Sequence, residues 1–147
     1  MSGTLVVGGS GFVGGETVAT LEQTGEHIIA TRHYHAASHA PDAFDWSDER
    51  TPLLDDQDIG TVVFAATVEQ GYDPPIRAFE RAATRVLDVC EDRRFVSVSS
   101  DSVSEGVNGP YAEDDEQQPT PEYGRRLVAF EDRVRCARIL SLLSVGT

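Results

Sequence analysis

Short apolar runs alternate along the chain with longer segments in which apolar residues recur every three or four positions. Such runs are typical of buried strands, and the recurring spacing is typical of helices that bury one face. Gly25 ends the first helical segment, and Pro74 and Pro75 mark the start of the second. We therefore predict strands at residues 4–7, 27–31, 61–66, 95–98 and 139–145, and helices at residues 12–21, 75–91 and 123–137.

This alternation predicts an α/β fold, a doubly wound parallel sheet with helices on both faces in three αβα layers. We expect residues 1–147 to form one such domain, because their number suits a single core. Residues 32–58 and 100–119 are polar and predict loops, although the fragment AFDWSD at 43–48 can hold a short strand. The sequence ends at Thr147, directly after the last predicted strand, so we expect a further segment or a partner to cover that edge.

The composition is that of a globular protein rather than a disordered or membrane-spanning one. Hydrophobic residues make up 39% of the chain, which is enough for a core, and no run of 18 apolar residues is present. The opening MSGTLVVGG carries no basic segment and no cleavage site, so we expect a cytoplasmic protein without a secretory signal. Cys90 and Cys136 lie far apart without a CxxC pair, which argues against a disulfide scaffold or a zinc knuckle.

The charge is strongly acidic: 25 acidic residues face 12 basic ones, all of them arginine, which gives a formal net charge of −13. Nucleic acids and anionic membranes bind to clustered positive charge, so neither is an expected partner. Because the acidic residues are scattered, we favour a solvated surface adapted to high salt. A dedicated acidic surface for a basic partner is the alternative.

Three glycines, Gly8, Gly11 and Gly14, lie at the junction of the first predicted strand and the first predicted helix. At such a junction Gly8 allows a tight turn, Gly11 a close approach of a diphosphate, and Gly14 close packing of the helix on the strand. The free N–H groups of the helix start add partial positive charge. We therefore favour a dinucleotide-binding site over a glycine turn that serves chain geometry alone.

The end of the second predicted strand bears on the choice of coenzyme. An acidic residue there would hold the ribose 2′-hydroxyl of NAD, whereas Arg32 suits the 2′-phosphate of NADP. We expect NADP, with NAD as the alternative, and an exposed Arg32 without a ligand stays open. His33, His35 and His39 follow, but no carboxylate pattern accompanies them, so we expect solvated histidines and no metal.

Four motifs occur in an order that resembles one family: GGSGFVG, FAAT, VSVSSDSV and GPYAEDDEQQPTPEYGRR. Over residues 4–146 the chain is similar to the extended short-chain dehydrogenase/reductases, and among them to the dTDP-4-dehydrorhamnose reductase branch of NAD(P)-dependent sugar-nucleotide enzymes. The resemblance implies a Rossmann fold and hydride transfer to or from a sugar-nucleotide ketone. Family members also carry a C-terminal substrate lobe, which we expect to be absent because the sequence ends at Thr147.

The resemblance also implies roles for individual residues. The catalytic residues would be Ser100 and Tyr123: the tyrosine gives its proton to the carbonyl oxygen as hydride arrives, and the serine hydrogen-bonds that oxygen. Because free tyrosine has a pKa of about 10, the family adds a lysine four residues later. The implied coenzyme contacts are Gly8, Gly11, Phe12, Val13 and Gly14 for the diphosphate, Asp45 and Trp46 for the adenine, and Ala65, Ala66 and Thr67 for the nicotinamide ribose.

The chain departs from the family pattern at the lysine position. Leu127 stands there, and the chain contains no lysine at all. Arg126 shares the helix face of Tyr123 and could supply charge, but a solvated helix cation is the favoured interpretation. Ser102 and Ser104 also replace aromatic residues that the family shows.

Three functions therefore stay open: a sugar-nucleotide reductase, a non-catalytic dinucleotide-binding regulatory module, and an interaction protein that keeps only the geometry of the loop. The resemblance implies a homodimer through the helices at 75–91 and 123–137, or a partner subunit that completes the site. The acidic stretch 113–116 could bind a divalent cation, but a solvated loop is favoured.

Overall fold

The fold is a single parallel sheet with helices packed on its two faces. The computed structural model describes residues 2–32, 42–43, 58–66, 76–88, 90, 92–104, 110, 112, 114–119, 122–136 and 142–145. The strands are β1 (Gly3–Val7), β2 (Ile28–Arg32), β3 (Asp42–Ala43), β4 (Ile59–Phe64), β5 (Arg94–Ser100) and β6 (Leu142–Val145). The helices are α1 (Phe12–Glu22), α2 (Ile76–Asp88) and α3 (Glu122–Cys136), and a 3-10 turn covers Asp101–Val103.

The six strands lie in the order β3-β2-β1-β4-β5-β6, and all their pairings are parallel. The chain first builds outward from β1 to β3 and then starts again on the other side of β1 with β4. This reversal is the topological switch point of a doubly wound sheet, where the carboxyl ends of two neighbouring strands diverge into a crevice. The predicted Rossmann fold is confirmed.

Apolar side chains cover both faces of the sheet, which explains why its central strands read as continuous apolar runs. On one face Val6, Val18 and Ala30 join β1, α1 and β2. The other face holds the larger cluster, which joins the sheet to α2 and α3 and includes the stacked rings of Phe64 and Phe95. Burial of each phenyl ring contributes roughly 2–3 kcal/mol, so this face supplies most of the core.

The predicted elements match the observed ones except near their ends. Helix α2 ends at Asp88, three residues before the predicted end. Strand β5 continues to Ser100, two residues beyond the predicted end, because Ser99 and Ser100 still pair with β6. Strand β4 begins at Ile59, two residues early, because Ile59 pairs with Gly3. Within the described residues, no helix is long and apolar enough to cross a membrane.

Candidate functional site

The carboxyl ends of β1 and β4 meet at the switch point of the sheet. The amide of Ala65, just past β4, donates to the carbonyl oxygen of Val7 at 2.9 Å. This bond continues the strand pairing to Val7, the last residue before the glycine loop. The loop therefore begins at the place where doubly wound sheets bind their ligands.

Gly8 occupies a conformation and a space that only glycine tolerates. Its φ is +88°, in the left-handed region, and a Cβ there would lie 2.8 Å from the amide nitrogen of Ala66. Its carbonyl oxygen accepts a hydrogen bond of 2.9 Å from the amide of Gly11, which closes the turn. The partly buried Ala65 and Ala66 thus lie against the loop, and their contact with the nicotinamide ribose stays a prediction.

Gly14 lets helix α1 pack directly on this turn. A Cβ at Gly14 would overlap the carbonyl oxygen of Gly8 and lie 2.8 Å from its carbonyl carbon. At Gly11 the nearest atom to such a Cβ, again the Gly8 oxygen, would be 3.3 Å away. The two later glycines are therefore unequal: Gly14 is required by backbone contact, whereas Gly11 sits in a tight but less crowded place.

The start of α1 presents backbone amides that have no acceptor within the helix. The first helical bond runs from the Gly15 amide to the Gly11 carbonyl oxygen at 2.8 Å, so the amides of Phe12, Val13 and Gly14 precede it. No side chain caps the helix, because its N-cap residue is Gly11. Phe12 is 88% exposed, so its ring is not packed into the core. Such a helix start is suited to an anion.

Thr31 supports the loop from strand β2, a contact that the sequence analysis missed. Its hydroxyl oxygen accepts a hydrogen bond from the Gly8 amide at 3.2 Å, and its relative exposure is only 1%. The one available signal was a hydroxyl residue at the end of an otherwise apolar strand. Arg32 follows at the carboxyl end of β2, partly buried, on the same edge of the sheet as the loop.

Several predicted residues lie outside the described part of the chain, so their roles stay predictions. They are His33, His35, His39, Asp45, Trp46, Thr67 and Glu113.

Ser100, the last residue of β5, caps the 3-10 turn that follows it. Its hydroxyl oxygen accepts from the Ser102 amide at 3.3 Å and lies 3.1 Å from a carboxylate oxygen of Asp101. The same hydroxyl is 3.3 Å from the Ser102 hydroxyl. The local hydrogen bonds fix the direction in which the chain leaves the strand.

Helix α3 packs its first turn on this 3-10 turn. A Cβ at Gly124 would overlap the carbonyl oxygen of Ser102 and lie 2.9 Å from Cβ of Pro119. This close approach explains why a glycine follows Tyr123 inside a helix, where glycine costs about 1 kcal/mol relative to alanine. It brings the start of α3, which includes the partly buried Tyr123, to the 3-10 turn that follows Ser100.

Arg126, three residues after Tyr123 in the chain, forms an ion pair on its own helix. Arg126 donates from Nη2 to a carboxylate oxygen of Glu122 at 2.5 Å, one helical turn away. Leu127, at the lysine position, is partly buried. Among the described residues of this helical turn, Arg126 is therefore paired with an acid on its own helix. Leu127 is apolar where the family has a cation.

One family of proteins matches the part of the chain that contains the glycine loop and Ser100. Residues 4–138 match the family described as NAD dependent epimerase/dehydratase. The chain belongs to this family. The resemblance drawn from the motifs is confirmed at this level, and the match includes the glycine loop, Ser100 and Tyr123.

Among curated relatives, a probable low-salt glycan biosynthesis reductase of Haloferax volcanii is 29% identical over 144 residues, which cover 88% of this chain and 48% of the relative. Two solved structures share the fold. UDP-glucuronic acid 4-epimerase from Bacillus cereus, in complex with NAD, has a TM-score of 0.78 at 19% identity, over 98% of this chain and 56% of that one. A hypothetical dTDP-4-dehydrorhamnose reductase from Sulfolobus tokodaii has a TM-score of 0.74 at 21% identity, over 98% and 55%. The chain thus spans about half the length of these proteins.

This epimerase/dehydratase family member also buries an acid that the sequence analysis did not single out. Glu131 of α3 is 3% exposed and accepts hydrogen bonds from the Ser99 hydroxyl and from Nε2 of Gln117. A glutamate amid charged helix residues looks like a surface position, so the sequence offered no signal.

Other candidate groups have structural roles. Burial raises the pKa of the Cys90 thiol to about 11, against a smaller opposite effect of Arg93, so this cysteine is a protonated core residue at neutral pH. In the acidic stretch, Asp115 closes a turn by accepting from the Ala112 amide at 2.7 Å. Within the described ranges, no group of three or more His, Cys, Asp or Glu residues could hold a metal ion.

Proposed function

We propose that this chain is the NADP-binding domain of a reductase that transfers hydride to or from the ketone of a sugar nucleotide. The observation that carries the proposal is the glycine loop: Gly8 and Gly14 form a cradle whose space a Cβ would fill, at the switch point of the sheet. The family match over the same residues supports it.

The residues present suit a dinucleotide. The amides of Phe12, Val13 and Gly14 would bind the diphosphate, since they precede the first helical hydrogen bond and carry the positive end of the helix dipole. Arg32 would bind the 2′-phosphate of NADP from the end of β2. Ala65 and Ala66 would leave room for the nicotinamide ribose beside the loop.

The bound coenzyme would supply or accept the hydride, and the chain's own residues would handle the proton. Tyr123 would hold the proton that passes to the carbonyl oxygen, and Ser100 would donate a hydrogen bond to the same oxygen. The packing of Gly124 on the Ser102 carbonyl supports this assignment, because it brings the start of α3 to the Ser100 turn.

The substrate proposal rests on the relatives. The Haloferax volcanii relative carries the name of a probable low-salt glycan biosynthesis reductase, and the Sulfolobus tokodaii structure carries that of a hypothetical dTDP-4-dehydrorhamnose reductase. Because the chain spans about half of such proteins, we propose that a further segment or a partner subunit, as in a homodimer, supplies the remaining substrate contacts.

Calorimetric titration with NADP and NAD in molar KCl tests the coenzyme proposal. We expect binding of both, with NADP about tenfold tighter, because Arg32 gains a charge-assisted bond to the 2′-phosphate. The Arg32→Gln variant should lose that preference, whereas Arg94→Gln, at the amino end of β5, should keep it. Equal affinities in the unaltered chain would remove Arg32 from the proposal, and no binding of either coenzyme would overturn the site.

Leu127 favours a second candidate function, a non-catalytic dinucleotide-binding module, because no lysine assists Tyr123. The two candidates differ in turnover of NADPH with a dTDP-4-dehydro-6-deoxy sugar as probe. A reductase should show turnover that Tyr123→Phe abolishes and Leu127→Lys increases. Tight coenzyme binding without turnover in all three proteins would establish the module instead.

A further inference from the structure

Glu131 carries a carboxylate into the contact between α3 and the end of β5. It is 3% exposed, whereas the next helix residues, Asp132 and Arg133, are exposed. Burial removes the hydration of a carboxylate, so the group is stable there only when its oxygens are paired or hydrogen-bonded. A leucine or methionine would fill a similar volume without that cost, so the acid serves more than packing.

The carboxylate joins three parts of the chain. One oxygen, Oε1, accepts from the Ser99 hydroxyl in β5, and the other, Oε2, accepts from Nε2 of Gln117 at 2.6 Å, in the segment before α3. Arg135, one turn further along the helix, places Nη2 3.4 Å from Oε2, but its side chain is 53% exposed. Because ion pairs open to water are weak, Ser99 and Gln117 are the main ligands of the carboxylate.

These contacts fix α3 at a second point. The first is Gly124, packed on the Ser102 carbonyl, and Glu131 lies seven residues later, about 10 Å along the helix axis. Two separated contacts fix both the position of α3 along its axis and its rotation about that axis relative to β5. Tyr123 lies beside the first contact, and Ser100 is covalently joined to Ser99 at the second.

We propose that Glu131 is a positioning residue that fixes Ser100 and Tyr123 relative to each other, with Ser99 and Gln117 as its ligands. The catalytic meaning of this pair rests on the proposed function, but the contacts themselves do not. Gln117 extends the effect of Glu131 to the segment before α3, because its side chain donates to the same carboxylate.

The test compares Glu131→Gln with Asp132→Asn, a matched removal of one negative charge at the exposed neighbouring position. Hydrogen exchange and tyrosine ring NMR are measured on the whole chain in molar KCl. In Glu131→Gln one acceptor oxygen becomes an NH₂ donor, which then faces the donor of Ser99 or of Gln117, so one of these two hydrogen bonds is lost. We expect exchange about tenfold faster in residues 99–104 and 114–119 only, since local opening follows local contacts. The Tyr123 ring resonance, identified with Tyr123→Phe, should shift in the Glu131 variant and stay in place with Asp132→Asn.

Unchanged hydrogen exchange in residues 99–104 and 114–119 would overturn the proposal. Equally faster exchange in residues 3–22 would also overturn it, because that result indicates general destabilisation. If Glu131→Gln does not fold, Ser99→Ala and Gln117→Leu replace it, and each should loosen mainly its own segment. NADP affinity is measured alongside and should stay unchanged. A chain that binds no coenzyme would contradict the proposed function, while the exchange pattern would still decide the role of Glu131.

Discussion

The glycine loop and the region of Ser100 and Tyr123 both lie at the carboxyl ends of the strands, but one is formed by backbone groups and the other by side chains. The loop depends on backbone: left-handed Gly8, the close contact of Gly14, and amides at the helix start. The second region depends on side chains, and there Leu127 stands at the family's lysine position. A site made of backbone amides persists while side chains around it change, whereas a proton-transfer site is altered by a single substitution.

Replacing Gly14 by alanine should have the largest effect on stability and coenzyme binding, because it disrupts the conformation of the loop. The added Cβ would overlap the Gly8 oxygen, so α1 must move away from the turn. We expect an unfolding free energy lower by about 3 kcal/mol, at the upper end for overpacking, and loss of NADP binding. Denaturant unfolding and calorimetry at fixed KCl measure both.

The matched control is Gly11→Ala, where the nearest atom lies at 3.3 Å and a small shift suffices. It should cost less than about 1 kcal/mol. Equal losses at the two positions would contradict the unequal roles that the packing gives them.

Replacing Gly124 by alanine disturbs the other region alone. The overlap with the Ser102 oxygen pushes α3 off the 3-10 turn, and Gly124, like Gly14, is the third residue of its helix. We expect a similar loss of about 2–3 kcal/mol in the unfolding free energy but an unchanged NADP affinity, measured by the same two methods. A loss of coenzyme affinity comparable to that of Gly14→Ala would show that the two regions are not separable.

Replacing Thr31 by valine should have a smaller effect on the loop. Valine fills the space of threonine but removes the acceptor of the Gly8 amide, which then lies unpaired beside a buried side chain. The expected loss of unfolding free energy is about 1–2 kcal/mol, and coenzyme affinity should fall with it. Thr31→Ser keeps the hydroxyl and should lie closer to the unaltered chain; identical behaviour of the two variants would remove the hydrogen bond from the account.

The smallest expected effect is that of salt on coenzyme affinity. The formal net charge of the chain is −13, so an anionic coenzyme approaches a protein of like charge. Raising KCl from about 0.1 to about 1 M shortens the Debye length from about 10 to about 3 Å and screens that repulsion. NADP affinity should therefore hold or rise by up to about threefold, as measured by calorimetry with NAD in parallel. A steep loss of affinity with salt would contradict repulsion by the net charge as the main effect of salt.

Much of the fold could be predicted because continuous apolar runs and glycine spacing are local signals. The doubly wound parallel sheet and the αβα layers follow from them, and so does the position of the glycine loop. Thr31 and Glu131 could not be found this way, since their roles depend on partners 23 and 32 residues away, Gly8 and Ser99. The end of β5 was missed for a similar reason, because its serines stay in the strand only through pairing with β6.

The central claim is that the loop after β1 binds the diphosphate of a nicotinamide coenzyme through backbone amides. The most direct measurement is the amide NMR spectrum of the whole chain in molar KCl during titration with NADP. The account predicts that the amides of Phe12, Val13 and Gly14 shift most and saturate together. A spectrum in which these amides do not move, or in which NADP shifts only residues outside 8–14, would contradict it.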